Sequence, residues 1–316
     1  AETGKNIAYA AGMLSDGKLV AIPTETVYGL AANAFNEKAV LSVFEAKNRP
    51  FFDPLIVHTH SLEAASAFAD FSDQRLFTLA KTFWPGPLTL LLPKSDKIPD
   101  LVCSGLSRVG IRIPDHPLTL ALLQSLPFPL AAPSANPFGY VSPTQPAHVE
   151  KQLGDKVSYI LDGGPSSVGL ESTIVGTENG HLYIYRLGGL SIESIESVVG
   201  PVKLQLNQSS NPLAPGQLKS HYSPRKPLYL GNLEELQHAF LTQRLAIISF
   251  GHPGLPSNQL HFDLSPGKNL QEAALNLFKM LRLADESDAD IVICEEVPDT
   301  GLGRAINDRL RRAASK

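Results

Sequence analysis

The sequence predicts an α/β protein in two parts: a mixed α+β twisted sheet, then a smaller, Rossmann-like α/β domain. Three observations predict it. Short apolar runs alternate with helical stripes over residues 1–200, the pattern of a sheet with interspersed helices. From 201 to 227 that pattern dissolves into a stretch rich in Pro, Ser, Asn and Gln. From 228 to 316 the alternation resumes. A chain of 316 residues is also long for one hydrophobic core.

Ile7, Ala10, Ala11 and Leu14 form a helical stripe that Gly17 ends, and Leu19 to Ile22 reads as a buried strand. Asn36 is a cap for a helix with Val40, Val43 and Phe44 on its apolar face, because its side chain can accept from the first free amides. Leu55 to His58 is the next strand. Ser72 is placed as the cap of a helix that Pro85-Gly86-Pro87 stops near Trp84. Further strands are predicted at 88–92, 109–113, 129–132, 158–161, 172–176 and 181–187. Residues 201–227 read as a linker, long enough to serve as a lid. Beyond it come strands at 228–230, 245–248 and 291–293, and a helix at 269–283 with Leu270, Ala274, Leu277 and Leu281 on one face.

A hydrophobic share of 43% and a charged share of 18% fit a packed globule and exclude wholesale disorder. A net charge of −4 disfavours a protein that coats nucleic acid, while leaving room for a local basic cavity. No apolar stretch has the length of a membrane span. The start AETGKNIAYAAG has no basic leader before an apolar run. Only two cysteines are present, Cys103 and Cys294, so a disulfide scaffold and a cysteine zinc site are both disfavoured. A cytoplasmic location is the expectation. Phosphate-loop, dinucleotide-fingerprint and nucleophile-elbow motifs are absent.

Five constellations remain. Pro23-Thr24-Glu25-Thr26-Val27-Tyr28-Gly29-Leu30 follows a buried strand, where α/β sheets commonly place ligands; a turn that satisfies its own backbone would read the same. Lys47-Asn48-Arg49-Pro50 runs into Asp53-Pro54-Leu55 and His58, cations at a helix end held by two prolines. Arg108 and Arg112 are four apart in a strand and so share a face, with Gly110 between them to admit an approaching group. Ala132-Pro133-Ser134-Ala135-Asn136, continuing to Ser142, offers small residues and neutral donors. Gly163-Gly164, Glu171-Ser172-Thr173 and Arg186 complete the set. Together they predict a cavity for a polyanionic small molecule, without naming a reaction.

These segments, PTETVYGL (23–30), KNRP with DPLIVH (47–58), VGIRIPDHP (109–117), APSAN (132–136) and ESTIV (171–175), resemble in sequence and in order the threonylcarbamoyl-adenylate synthase family, built on the YrdC-like domain. PGQLKSHYSP (215–224) and GLGRAINDRLRRAA (301–314) look like its long, two-domain form. Gln217-Leu218-Lys219-Ser220 departs from the Met and basic-aromatic run usual there. The resemblance implies domains at 1–200 and 228–316 with a linker at 201–227. It implies formation of threonylcarbamoyl-AMP and pyrophosphate from L-threonine, bicarbonate and ATP, with Mg²⁺, for tRNA modification by partner proteins. Carried over position by position, it implies catalytic roles for Lys47 and Arg49. It implies threonine contacts from Thr26, His58, Arg112, Ala132 and Ser172, and ATP contacts from Arg49, Asp53, Arg108, Ser134, Ser142, Arg186 and Tyr222. It fixes no metal ligands. The competing reading is a non-catalytic double-stranded RNA-binding module of the same fold, which the acidic net charge disfavours along with direct tRNA binding.

Overall fold

Hydrogen bonding joins eleven strands into one mixed sheet and four into a second, parallel one. The structure is a computed structural model and describes residues 1–206, 211–252 and 260–315; all counts refer to these. The first sheet contains β1 (Glu2–Gly4), β2 (Val20–Ile22), β3 (Gly29–Asn33), β4 (Ile56–His58), β5 (Leu88–Pro93), β6 (Arg108–Arg112), β7 (Leu130–Ala131), β8 (Tyr159–Leu161), β9 (Thr173–Glu178), β10 (His181–Arg186) and β11 (Lys203–Leu204). Their spatial order is β1-β8-β2-β3-β7-β4-β6-β5-β9-β10-β11. Seven helices accompany them: α1 (Ile7–Ser15), α2 (Glu37–Lys47), α3 (Leu62–Ser66), α4 (Gln74–Phe83), α5 (Pro117–Ser125), α6 (Pro146–Leu153) and α7 (Ile192–Val199). The second sheet has the order β12 (Leu228–Leu230), β15 (Ile291–Cys294), β13 (Leu245–Ser249) and β14 (Leu260–Asp263). It carries α8 (Leu233–Ala239), α9 (Leu270–Glu286) and α10 (Gly303–Ala314).

Local chemistry explains several boundaries. The Asn36 side chain accepts from the amides of Lys38 and Ala39 and starts α2 as the sequence predicts. Asn48, in the left-handed conformation, ends it. The cap of α4 is Asp73, not Ser72: the Asp73 carboxylate accepts from the Arg75 amide, while Ser72 donates to Asp70. Either residue type caps well, so pattern alone could not choose. Strand β3 was not predicted, because Gly-Leu-Ala-Ala-Asn lacks the β-branched and aromatic residues that mark strands. It pairs antiparallel with β2 and β7.

The register positions the site. His58 lies opposite Arg112 across the parallel β4–β6 pair. β7 pairs with β4 at Val57 and Ala131, and a bridge joins Gly29 to Ser134. The 23–30, 58, 112 and 132–134 segments therefore end at one rim of the sheet. The β9–β10 register shifts between Ile184 and Arg186, which turns Arg186 towards Ser172, where it bonds both the carbonyl and the hydroxyl.

One apolar cluster spans both sheets, from Leu90 and Val175 through Tyr222 to Leu277 and Leu310. Polar bonds reinforce the junction. The buried Arg282 guanidinium donates to the Val141 carbonyl and to Gln152 Oε1. Tyr140 Oη donates to Asp285 at 2.5 Å. No described helix is long and apolar enough to cross a membrane.

Candidate active site

The rim encloses a cavity of about 50 Å³. Nine of the predicted site residues line it: Thr26, Arg49, His58, Arg112, Ala132, Ser134, Ser172, Arg186 and Tyr222. The linker closes one side through Pro215, Gly216, His221 and Tyr222. The space holds a few waters and is far below the several hundred Å³ of ordinary small-molecule sites. In this conformation the linker narrows the pocket.

Arg112 stands at the end of β6. Its Nε donates to the Gly86 carbonyl at 3.2 Å, its Nη1 to Thr26 Oγ1 at 2.9 Å, and its Nη2 to Glu25 Oε1. The other Glu25 oxygen accepts from the Asp115 amide at 3.0 Å. A guanidinium has five N–H groups, so one on each terminal nitrogen remains uncommitted by these bonds. That pair suits a carboxylate. Ser172 Oγ contacts Thr89 Oγ1 at 2.7 Å and accepts from Arg186 at 3.0 Å.

Arg49 donates through Nε to the Asp53 carbonyl at 3.0 Å and through Nη2 to the Pro54 carbonyl at 2.8 Å. It also pairs with the Asp53 carboxylate at 2.9 Å. Asp53 is buried and does not face the cavity. Burial pushes its carboxyl above the ordinary range, opposed by Arg49, Lys47 and Arg186.

Three other predicted residues also stand back from the cavity. Lys47 is buried, and its ammonium donates to the carbonyls of Ser134 and Asn136. Burial, and then Arg49, hold its pKa well below the lysine range. In this state it braces the 134–136 turn instead of reaching the pocket. Ser142 Oγ donates to Glu171 Oε1 at 2.5 Å. Arg108 donates to the Thr177 carbonyl at 2.9 Å and lies over the Tyr185 ring. It shares a strand face with Arg112, as expected, but four residues put it roughly 13 Å further along. Nor is there an opening at Gly110. A Cβ there would stand 3.1 Å from Thr89 Cγ2, so neighbouring strands fill the expected gap.

Sequence reasoning missed Glu25, Glu171 and Arg309 as members of the site's bonding network, and His221 as part of the cavity wall. Glu25 and Glu171 sat inside the named motifs without being given a role of their own. Arg309 belongs to α10, more than a hundred residues away in sequence. It donates to Glu171 Oε2 at 2.9 Å and to the Leu187 carbonyl at 2.8 Å. The signal that could have found the two glutamates was a balance of charge. Buried cations at a cavity and behind its wall require counter-ions. Glu25 meets Arg112, Asp53 meets Arg49, and Glu171 meets Arg309.

His58 is fully enclosed, and burial, with Arg112 second, pushes its pKa from 6.5 down to about 3. The folded protein keeps this imidazole neutral where the unfolded chain takes up a proton. Below about pH 6.5 stability should therefore fall towards pH 3 with a slope of up to ~1.4 kcal/mol per unit from this group. Urea unfolding of His58→Gln against the wild type at pH 7 and pH 4.5 checks this. An equal acid loss in both proteins would show that His58 does not contribute.

Comparison with known proteins agrees over the full length. The family model described as "Telomere recombination" (Sua5_yciO_yrdC) matches residues 12–188, and "Threonylcarbamoyl-AMP synthase, C-terminal domain" matches residues 190–315. A Bacillus subtilis protein named threonylcarbamoyl-AMP synthase is 40% identical, over 98% of this chain and 92% of its own. A Pyrococcus abyssi protein of the same name is 38% identical, over 98% and 94%. The crystal structure of P. abyssi Sua5 complexed with L-threonine superposes with a TM-score of 0.93 at 37% identity, over 99% of this chain and 97% of that one. The paired sheets, the ordered motifs at one rim and these full-length likenesses lead to one conclusion: the chain belongs to the threonylcarbamoyl-AMP synthase family, in its two-domain form.

Proposed function

We propose that this protein condenses L-threonine, bicarbonate and ATP into threonylcarbamoyl-AMP, releasing pyrophosphate and water, and that the product serves N6-threonylcarbamoyladenosine formation in tRNA. The observation that carries this reading is Arg112, held by Glu25, Thr26 and Gly86 with two N–H groups left to take a carboxylate. The threonine amine adds to bicarbonate to give a carbamate with loss of water. A carbamate oxygen then attacks the α-phosphorus, and pyrophosphate leaves. No enzyme nucleophile is needed. What the chemistry demands is that three anions be held together against their repulsion, in fixed geometry and away from bulk water.

In this scheme Arg112 binds the threonine carboxylate, with Thr26 and Ser172 as neutral neighbours and the Ala132 backbone along one wall. The neutral His58 imidazole offers an acceptor or a donor without adding charge. Arg49, Arg186 and Ser134 meet the triphosphate. Lys47 acts as a positioning residue by holding the Ser134 carbonyl, and Asp53 does so by fixing Arg49. Tyr222 and its linker neighbours withdraw to admit the nucleotide, then close over it. Ser142 acts through Glu171. Arg108 has no place in this scheme.

Mg²⁺ would screen the phosphates. No group of three metal-ligating side chains occurs among the described residues, and Glu25, Asp53 and Glu171 are each tied to an arginine. These residues do not make a resident metal cage, so the ion would come bound to ATP. The partners expected to consume the product are the proteins that modify tRNA.

The test is pyrophosphate release from purified protein. Release only when threonine, bicarbonate and ATP are all present supports the reading. Equal release without threonine overturns it, and steeply salt-dependent RNA binding with no turnover would favour the RNA-binding alternative.

A further inference from the structure

Helix α10 holds the linker at four points. Arg312 Nη1 donates to the Leu218 carbonyl at 2.6 Å. The His221 amide approaches the Arg312 carbonyl at 3.5 Å, and Ser223 Oγ donates to the Ala313 carbonyl at 3.3 Å. The Arg309 guanidinium lies 4.8 Å from the centroid of the Tyr222 ring. Phe278 of α9 stacks against the same ring at 5.8 Å. By contrast, the bonds from 218–223 to the larger unit are few, chiefly the Ser223 amide to the Gly139 carbonyl at 2.9 Å.

The same arginine also reaches across the junction. It is fully buried, pairs with Glu171 of the pocket wall and donates to the Leu187 carbonyl beyond β10. Glu171 in turn accepts from Ser142. A single side chain of the smaller unit therefore touches the lid, the pocket carboxylate and the strand end that carries Arg186. Arg309 also pairs with Asp308 of its own helix at 2.8 Å, so two carboxylates balance its charge while its fork and its face hold the Leu187 carbonyl and the Tyr222 ring.

We propose that Arg309 is a latch: through it the smaller unit sets how far the 218–223 lid stays closed and holds Glu171 in register with that closure. Arg309 is a positioning residue and does not touch reactants. The smaller unit is thus a seat for the lid, and its displacement from α10 would open the pocket. The inference rests on the proposed synthase reading for its catalytic consequence, but the latch itself is read without activity.

Hydrogen exchange on the full-length protein tests it. In the wild type the amides of His221 and Ser223 should exchange at a common opening rate with the last turn of α10. In Arg309→Met, exchange over 218–223 should rise by about 2- to 30-fold, the loss expected when the cation–π contact to Tyr222 is removed. Arg309→Lys, which keeps the charge but not the fork, should recover part of that protection. In steady-state assays the Met variant should lose kcat without a rise in ATP KM, and should release more pyrophosphate per product formed. Unchanged exchange over 218–223 in a folded Met variant overturns the latch. Should that variant fail to fold, wild-type exchange in which 218–223 opens independently of α10 overturns it equally. Altered exchange without any threonine-dependent pyrophosphate release would sink the synthase reading and leave the latch standing.

Discussion

Replacing Arg112 by alanine should raise the threonine dissociation constant by about 100-fold or more while leaving ATP affinity within a few-fold of wild type. Truncating one partner of a buried, hydrogen-bonded charge pair costs roughly 2–5 kcal/mol, and every 1.4 kcal/mol is about tenfold. Arg112 is buried and has bonds to Glu25, Thr26 and the Gly86 carbonyl. The alanine variant loses the carboxylate partner and also strands Glu25. Arg112→Ala with Glu25→Gln separates the two effects. The double variant should regain thermal stability and still bind threonine poorly. Calorimetry showing near-normal threonine affinity in the double variant would remove Arg112 from the substrate site.

The second large effect concerns Arg49. Arg49→Met leaves the Asp53 carboxylate buried without its 2.9 Å partner, and stranding one member of a buried pair costs about 3–5 kcal/mol of stability. The melting temperature should fall steeply. Arg49→Met with Asp53→Asn should restore much of it, since neither charge then remains. Turnover should not follow. A pre-oriented cation facing a reacting phosphate is worth on the order of 100- to 1,000-fold in rate, and the asparagine does not replace it. A double variant that is both stable and active would make Arg49 a structural residue alone.

Much of the fold and about two-thirds of the pocket were legible in the sequence, for identifiable reasons. Helix α2 and strands β2, β4 and β6 carry strong apolar periodicity, and Asn36 is a local cap whose chemistry acts within three residues. Motif 23–30 announces itself because polar groups follow directly on a buried strand, 109–113 because a charged group ends one, and 171–175 because polar groups lead into one. What stayed hidden depends on distance or on number. The exclusion of Arg108 and Ser142 from the cavity follows from position along a strand and from a Glu171 contact 29 residues away. Gly110 reads as open space in sequence, and only neighbouring strands show it to be filled. The expectation of a positive pocket was half met. The cations do converge, but with Glu25, Asp53 and Glu171 among them, because buried charge requires compensation. Glu25 and Glu171 were in view as letters and were missed as counter-ions.

The cavity narrowed by Gly216 and Tyr222 bears on how any affinity measured for this protein is to be understood. A ligand that needs the strap withdrawn reports its intrinsic constant divided by the fraction of molecules already open. Weakening the strap would then make nucleotide binding look better while the reaction it shelters runs worse. Variants or inhibitors ranked on binding alone would be sorted in the wrong order, and turnover would have to be read beside them.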